Sequence, residues 1–313
     1  MTWARDEEII AQCGVIAALL EVSGYPKPGN VHRTRNFEDT RYEHFLTSSA
    51  VLAPILRQIS QRGRMAQIKQ IPLNELKLGE SIFNAVQATQ YWQKGGNTNL
   101  GIILLFIPLA CSAGMLIEHP NPSVLQLRTN LDRIIKSSTS EDTIKLFEAI
   151  SLANPGGLGT VKDFDIKNTT PESLRKNNIN LHDIFEISAG RDSIAKEYVT
   201  QFQITFEIGY PFFKQIFKKT GDINTSIVHT YLKILSEVPD TLIARKFGSA
   251  TAKEVSQRAK YILNKGGLLT KQSEELLWNF DSELRSEKKI NPGTSADLTA
   301  AAIMVALLEG IRF

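Results

Sequence analysis

The segment LGIILLFIPLACSAGMLI, residues 100–117, contains no charged residue, and its interpretation decides the fold of the chain. Its length is compatible with a membrane span. However, Gly101, Pro108, Ser112 and Gly114 interrupt it, and it lacks flanking Trp or Tyr anchors and a second segment of the same kind. A wholly apolar helix is also typical of the centre of a large helical protein. We therefore predict a buried helix and no membrane association.

Apolar residues recur at helical spacing over much of the remaining chain. Ile9, Cys13, Ile16 and Leu20 form such a series, which is followed by the helix-ending pair Ser23-Gly24. The same spacing predicts helices over 187–206, 224–237, 249–265, 270–286 and 296–310, whereas the polar, basic stretch 58–70 is interpreted as a surface connection. Few segments alternate with the period of two expected of strands. We predict an all-α fold, a single multi-helix domain over residues 1–313 around the central apolar helix.

The composition indicates an ordinary globular protein and argues against several classes of function. Of the 313 residues, 42% are hydrophobic and 22% are charged, which argues against disorder. The net charge of +3 and the absence of a long basic run argue against a nucleic-acid partner. Cys13 and Cys111 lie in apolar runs, where reduced, buried thiols are expected. Residues 1–8 are rich in charge and lack an apolar signal region, so we expect a cytoplasmic protein.

Three loops combine Pro, Gly or small polar residues with a following helix, and the first is YPKPGNV, residues 25–31. Pro26 and Pro28 restrict Lys27 to an extended backbone, so its ammonium is expected to project from a stiff segment. Gly29 permits close approach of the backbone to a ligand. Lys27, Pro28 and Gly29 are therefore candidates for binding a polyphosphate. The alternative is an exposed lysine in a turn.

The second loop, GGNTN at residues 95–99, directly precedes the apolar helix. Amide groups at the start of a helix are unpaired and carry partial positive charge, which suits an anion. Asn97 and Thr98 are candidate ligand-binding residues on this basis. They, and Asn99 with them, are equally consistent with a role as helix N-caps.

The third loop, NPGTSAD at residues 291–297, opens the last predicted helix. Thr294 or Ser295 is expected to cap this helix, and Asp297 falls in its first turn. An aspartate there can complement the helix dipole, or it can hold Mg²⁺ together with water and substrate phosphates. Elsewhere, Arg191 and Asp192 are consistent with the lining of the pocket and with surface helix pairs, and the surface is the preferred interpretation. Asp240 is consistent with both a helix cap and a metal ligand.

Four motifs occur together in one order along nearly the whole chain. They are PKPG at residues 26–29, Asn97-Thr98 with Gly101, ARK at residues 244–246, and NPG at residues 291–293 with SAD at residues 295–297. This set resembles the triphosphoribosyl-dephospho-CoA synthase family. The resemblance implies an all-helical enzyme that transfers a triphosphoribosyl group from ATP to a ribose hydroxyl of dephospho-CoA and releases adenine.

The resemblance also implies roles for individual residues. Lys27, Arg245, Lys246 and the helix-start amides near Thr98 and Ser295 would hold the triphosphate. We expect ATP and a dephospho-CoA-like acceptor as the binding partners. The sequence leaves the oligomeric state open.

Asp39 and Asp297 are the carboxylates that we expect to bind Mg²⁺ and to take part in catalysis. By analogy with glycoside chemistry, a carboxylate would stabilise an oxocarbenium-like state and move protons. Asp39 follows the lysine loop and is the preferred candidate for that second role. The group that protonates adenine is not identified by the sequence.

Two family motifs are altered in this chain. Asn99 and Leu100 stand where the family pattern Asn-Thr-His-Lys-Gly has His and Lys, and Phe37 stands in place of the His of Gly-Ala-His-x-Asp. These changes predict a divergent branch whose acceptor can differ from dephospho-CoA. Two alternatives remain open, a Mg²⁺-dependent hydrolase of a nucleotide or N-glycosidic bond and a non-catalytic nucleotide-binding protein.

Overall fold

The computed structural model describes residues 2–156, 164–166, 168–286 and 289–313. These residues form α-helices with short connections, and no strand occurs among them apart from an isolated bridge between His32 and Arg35. The helices are α1 Glu7–Ser23, α2 Tyr42–Ala50, α3 Ala53–Gln67, α4 Leu78–Trp92, α5 Leu100–Gly114, α6 Val124–Lys136, α7 Ser140–Ala153, α8 Pro171–Lys176, α9 Leu181–Ser188, α10 Ser193–Val199, α11 Tyr210–Thr220, α12 Ile223–Glu237, α13 Thr241–Phe247, α14 Ser249–Asn264, α15 Lys271–Arg285 and α16 Gly293–Glu309. Short 3-10 helices lie at Leu73–Glu75 and Gly267–Leu269, and a π-helix lies at Ile204–Gly209. The predicted all-α fold is confirmed.

The apolar segment forms α5, and this helix lies at the centre of the molecule. Every residue of α5 except Gly101 is buried, and the helix packs against α1, α3, α4, α6 and α16. None of the described helices is long and apolar enough to cross a membrane. The prediction of a buried helix is therefore confirmed.

The prediction of a surface connection over residues 58–70 is wrong, because α3 covers most of this stretch. Helices α3 and α5 approach so closely that a Cβ at Gly63 would lie 2.0 Å from the carbonyl oxygen of Cys111. A Cβ at Gly114 would lie 1.9 Å from the carbonyl oxygen of Ser60. Ser60 and Gly63 belong to the buried face of α3, and neither residue contributes an apolar signal to the stretch 58–70.

A second central helix, α16, is buried at 14 of its 17 residues and packs against α1, α5 and α12. The prediction of one continuous helix over residues 187–206 is wrong. Helix α9 ends at Ser188, and α10 begins only after Asp192, whose Oδ1 accepts a hydrogen bond of 2.8 Å from the Ile194 amide. This N-cap starts a new helix after the interruption at residues 189–192.

Candidate active site

A cavity of about 570 Å³ opens where the N-termini of α5 and α16 meet. Its other walls come from the loop at residues 95–98 and from helices α7, α9, α10 and α13. Its size is that of a typical small-molecule site. The cavity contains six of the ten residues that the sequence predicted as site residues, namely Asp39, Asn97, Thr98, Arg245, Lys246 and Asp297.

The start of α5 presents backbone donors to this cavity. The Leu100 amide donates to Asn97 Oδ1 at 3.1 Å, whereas the N-cap position is Asn99, whose side chain makes no capping hydrogen bond. No acceptor is found in the described part of the chain for the amides of Gly101 and Ile102, which also line the cavity. Free amides at a helix N-terminus favour a bound anion. The bond from Leu100 to Asn97 thus leaves the next two amides available for an anion.

Basic side chains also line the cavity. Arg245 Nη1 lies 2.7 Å from Asp192 Oδ2, and both side chains face the cavity. Lys246 is exposed, and no carboxylate in the described ranges forms an ion pair with it. Arg191 lines the same wall. The preferred surface interpretation of Arg191 and Asp192 is therefore wrong, and the alternative, that they line the pocket, is the one that the structure shows.

Asp297 lies beside the first turn of α5. A Cβ at Gly101 would lie 2.0 Å from Asp297 Oδ2, so only glycine leaves room for this carboxylate. No hydrogen-bond donor to Asp297 is found among the residues that the structure describes. Burial raises the pKa of Asp297 well above its usual value, and the neighbouring carboxylates of Glu21 and Asp192 add to the shift. Such a carboxylate would be stabilised by a cation or by a proton.

The other predicted polar residues of the cavity have modest local roles. Asp39 is exposed, and its Oδ1 accepts a bond of 3.3 Å from the Thr40 hydroxyl. The hydroxyl of Thr98 lies 2.6 Å from that of Ser48 and is nearly buried. Asn99 donates its side-chain amide to the carbonyl of Ser48 at 3.1 Å. Asn99 therefore holds α2 against the start of α5.

The prediction that the Lys27 ammonium projects toward a polyphosphate is wrong. Lys27 is fully buried, and its Nζ donates to the side-chain Oε1 of Glu21 and, at 2.8 Å, to the Glu21 carbonyl. The stiff Pro-Lys-Pro segment therefore directs the side chain back onto α1. Glu21, not Lys27, lines the cavity.

Pro28, Gly29 and Ser295 also lie outside the cavity lining, contrary to the prediction. The Pro28 carbonyl accepts a bond of 2.7 Å from the Tyr231 hydroxyl, and the Gly29 amide donates to Asp281 Oδ1 at 2.9 Å. These bonds attach the loop to α12 and α15. The backbone amide and the hydroxyl of Ser295 both donate to one carboxylate oxygen of Asp240, at 2.7 and 2.8 Å. The Pro28 carbonyl and the donors of Gly29 and Ser295 are thus already used within the protein.

Asp240 acts as a structural cap. Its Oδ1 accepts from the amides of Leu242 and Ile243 at 2.9 and 3.1 Å, while its Oδ2 binds Ser295. Asp240 is buried and joins the start of α13 to that of α16. Of its two predicted roles, the cap is the one that the hydrogen bonds show.

One side of the cavity is apolar. Its lining side chains include Leu146, Phe147 and Ile150 from α7 and Ile184, Phe185 and Ile187 from α9. The cavity thus combines an apolar wall with helix N-termini and basic groups. This combination suits an amphipathic anion such as a nucleotide.

Glu21 is the functional candidate that the sequence analysis missed. It lies in the last turn of α1 with 2% of its surface exposed, beside the buried residues Ala18 and Val22. A glutamate on the apolar face of a predicted helix is a usable signal, because buried carboxylates are rare without a partner. The partner is Lys27, six residues further along the chain.

Comparisons with known proteins identify the family of this chain. The family model for ATP:dephospho-CoA triphosphoribosyl transferase matches residues 7–312. The 2-(5''-triphosphoribosyl)-3'-dephosphocoenzyme-A synthase of Klebsiella pneumoniae is 26% identical over 288 residues, which cover 91% of this chain and 85% of the relative. The enzyme of the same name from Escherichia fergusonii is 25% identical over 293 residues, covering 91% and 86%.

A solved structure is similar as well. A crystal structure from Archaeoglobus fulgidus, assigned to the triphosphoribosyl-dephospho-CoA synthases, superimposes with a TM-score of 0.62 at 25% identity. The match covers 85% of this chain and 100% of that one. Because the family model extends over nearly the whole sequence, the chain belongs to the ATP:dephospho-CoA triphosphoribosyl transferase family.

Proposed function

We propose that this protein transfers the triphosphoribosyl group of ATP to a hydroxyl of dephospho-CoA, or of a closely related acceptor, and releases adenine. In this reaction a bond forms between the acceptor oxygen and C1′ of the ATP ribose. The bond from C1′ to adenine breaks, and the adenine nitrogen keeps the electron pair. The acceptor proton is lost and adenine gains one, so the reaction balances.

The observation that carries the proposal is the meeting of two helix N-termini with basic side chains in one cavity. Free amides at the start of α5 and the side chains of Arg245 and Lys246 supply donors and positive charge for a triphosphate. The apolar wall from α7 and α9 suits a nucleobase or another uncharged part of a substrate. The names of the relatives identify the substrates of those proteins, and membership of their family extends the expectation to this chain.

A magnesium ion fits the donor set of this cavity. Mg²⁺ prefers one or two protein carboxylates, with water and substrate phosphates as the other ligands. Asp297 has no donor among the described residues and faces other carboxylates, and Asp39 lines the same cavity. No group of three metal-binding side chains occurs within the described ranges, so the phosphates would complete the coordination. The ion would neutralise triphosphate charge.

Incubation with ATP, Mg²⁺ and dephospho-CoA tests the proposal, with chromatography for adenine and for a heavier CoA derivative. We expect both products in equal amounts, and neither in the absence of the enzyme. Adenine together with free triphosphoribose would indicate a hydrolase instead. No consumption of ATP with any tested acceptor would indicate a nucleotide-binding protein without this activity.

Calorimetric titration of the protein with ATP, with and without Mg²⁺, tests the cation separately from turnover. We expect tighter ATP binding in the presence of Mg²⁺, and a smaller gain in the Asp297→Asn variant. Equal affinity for ATP in both conditions would contradict the proposed role of the ion.

A further inference from the structure

The buried pair formed by Glu21 and Lys27 borders the cavity, but the sequence motifs assign no function to Glu21. Glu21 belongs to the last turn of α1 and lines the cavity, while Lys27 lies behind it and is fully buried. Lys27 Nζ contacts Glu21 Oε1 and the Glu21 carbonyl oxygen. The lysine therefore holds both the backbone and the side chain of Glu21.

The two carboxylate oxygens of Glu21 differ in their contacts. Oε1 is bound by Lys27, whereas no hydrogen bond to Oε2 is found in the part of the chain that the structure describes. The residue is 2% exposed, and the open space next to it is the cavity. The small accessible part of Glu21 borders the cavity, where a bound ligand would supply a hydrogen-bond partner for Oε2.

We propose that Glu21 is a further catalytic residue, which accepts the proton of the acceptor hydroxyl through Oε2, and that Lys27 is the residue that positions it. This inference rests on the proposed transferase function and names the base for that reaction. As the acceptor oxygen bonds to C1′, its proton passes to Glu21. Adenine departs with its electron pair and takes up a proton, and Glu21 then returns its proton to solvent.

The surroundings of Glu21 suit this role. Burial raises the pKa of Glu21 above its usual value, while the charge of Lys27 opposes the shift. A general base transfers protons more effectively when its pKa lies near the pH at which the enzyme operates. Asp39, the base preferred from the sequence, is exposed and forms no ion pair within the described ranges, so its orientation is less restricted. Preorganised groups contribute more to catalysis than mobile ones.

The first test is the Glu21→Gln variant, which keeps the size of the side chain and an acceptor for Lys27. We expect kcat for adenine formation to fall by about 10²–10⁴-fold, the usual contribution of a general base. The KM values for ATP and dephospho-CoA should change less than about threefold, because the amide occupies the same space. In the smaller variant Glu21→Ala, added formate should restore part of the activity. A purely structural role would not give that rescue.

The matched control is Glu197→Gln. Glu197 is also a fully buried glutamate, but its carboxylate accepts from the amides of Ile204 and Thr205 at 2.8 and 2.9 Å and does not line the cavity. We expect this variant to keep kcat within about threefold of wild type, with thermal stability as the property that changes. The comparison separates loss of a buried carboxylate in general from loss of a catalytic one.

A double-mutant cycle with Lys27→Met tests the positioning role. If Lys27 acts through Glu21, Lys27→Met lowers kcat in the wild-type background but has little further effect in Glu21→Gln. A residue that only supports the fold would lower activity by the same factor in both backgrounds. Thermal unfolding of all four proteins shows whether each variant is folded at the assay temperature.

The outcomes for the two proposals are distinct. If the wild type forms both products and Glu21→Gln does so at a rate within threefold of it, the role of Glu21 is refuted while the transferase function stands. If the wild type forms neither product, the transferase function is refuted, and the role of Glu21 with it. A loss of 10²-fold or more with formate rescue in Glu21→Ala supports the proposal.

Discussion

Replacement of Gly101 by alanine tests the central geometry of the site with the addition of one methyl group. The new Cβ would lie 2.0 Å from Asp297 Oδ2 and 2.4 Å from Asp297 Cγ. Ordinary contact begins at 3.4 Å, so the carboxylate must retreat by about 1.4 Å. The atom that must move is the end of a side chain, so rotation of Asp297 can relieve the overlap without large movement of the backbone.

The expected effect on activity therefore exceeds the effect on stability. A misplacement of about 1 Å at a catalytic group costs on the order of 10²-fold in rate, which corresponds to about 2.7 kcal/mol. Alanine is favoured over glycine in a helix by about 1 kcal/mol, which offsets part of the roughly 1–3 kcal/mol cost of overpacking. We predict that Gly101→Ala lowers kcat/KM about 100-fold and changes the free energy of unfolding by less than about 2 kcal/mol.

Initial rates of adenine formation from ATP and dephospho-CoA measure the first quantity, and denaturant unfolding measures the second. Gly190→Ala is the matched control, because no atom lies within 4 Å of the Cβ that it would add. Gly190→Ala should keep wild-type activity. A Gly101→Ala enzyme with kcat/KM within threefold of wild type would refute the proposed importance of the Asp297 position.

Three other predictions concern charge, capping and pH. Arg245→Ala should raise the KM for ATP about tenfold while the protein remains folded, because Arg245 supplies positive charge to the cavity. An unchanged KM for ATP in steady-state assays would contradict this role of Arg245. Asp240→Ala should destabilise the protein by about 3 kcal/mol in denaturant unfolding, because it leaves the donors of Leu242, Ile243 and Ser295 without their acceptor. A loss of stability below about 1 kcal/mol would contradict this account. Burial lowers the pKa of His229 in the folded protein to about 4. As the pH falls from 6.5 to 4, His229 is therefore protonated in the unfolded chain before it is protonated in the folded protein. The protein loses up to about 3 kcal/mol of stability over this range. The His229→Gln variant should lose correspondingly less between pH 7 and pH 4, and equal losses in the two proteins would exclude His229 as the cause.

The predictions from the sequence succeeded where a pattern is local to one helix. The apolar run at residues 100–117 identified the central helix, and the series from Ile9 to Leu20 identified α1. The spacing failed for α3, because its buried face includes Ser60 and Gly63, which pack by close backbone approach. It also failed between residues 187 and 206, where the N-cap at Asp192 separates two helices.

For the candidate site as well, the sequence identified features that depend on local residue types, but it did not predict tertiary contacts. The loops at residues 95–99 and 291–297 were identified from their residue types, and the structure brings Asn97, Thr98 and Asp297 to one cavity. Their roles in substrate binding and catalysis stay predictions. Lys27 was assigned to the wrong environment, since the direction of its side chain depends on the position of Glu21 in α1.

The sequence alone determined that this chain is helical, that residues 100–117 are buried, and that it resembles one enzyme family, because helical periodicity and short motifs are local properties of a polypeptide. Only the tertiary structure decided which charges face the cavity. Lys27 turns inward to Glu21, Ser295 binds Asp240, and Asp192 joins Arg245 at the wall. Each of these pairs joins separate structural elements, and the free energy of burying a charge depends on the partner that the packed fold supplies.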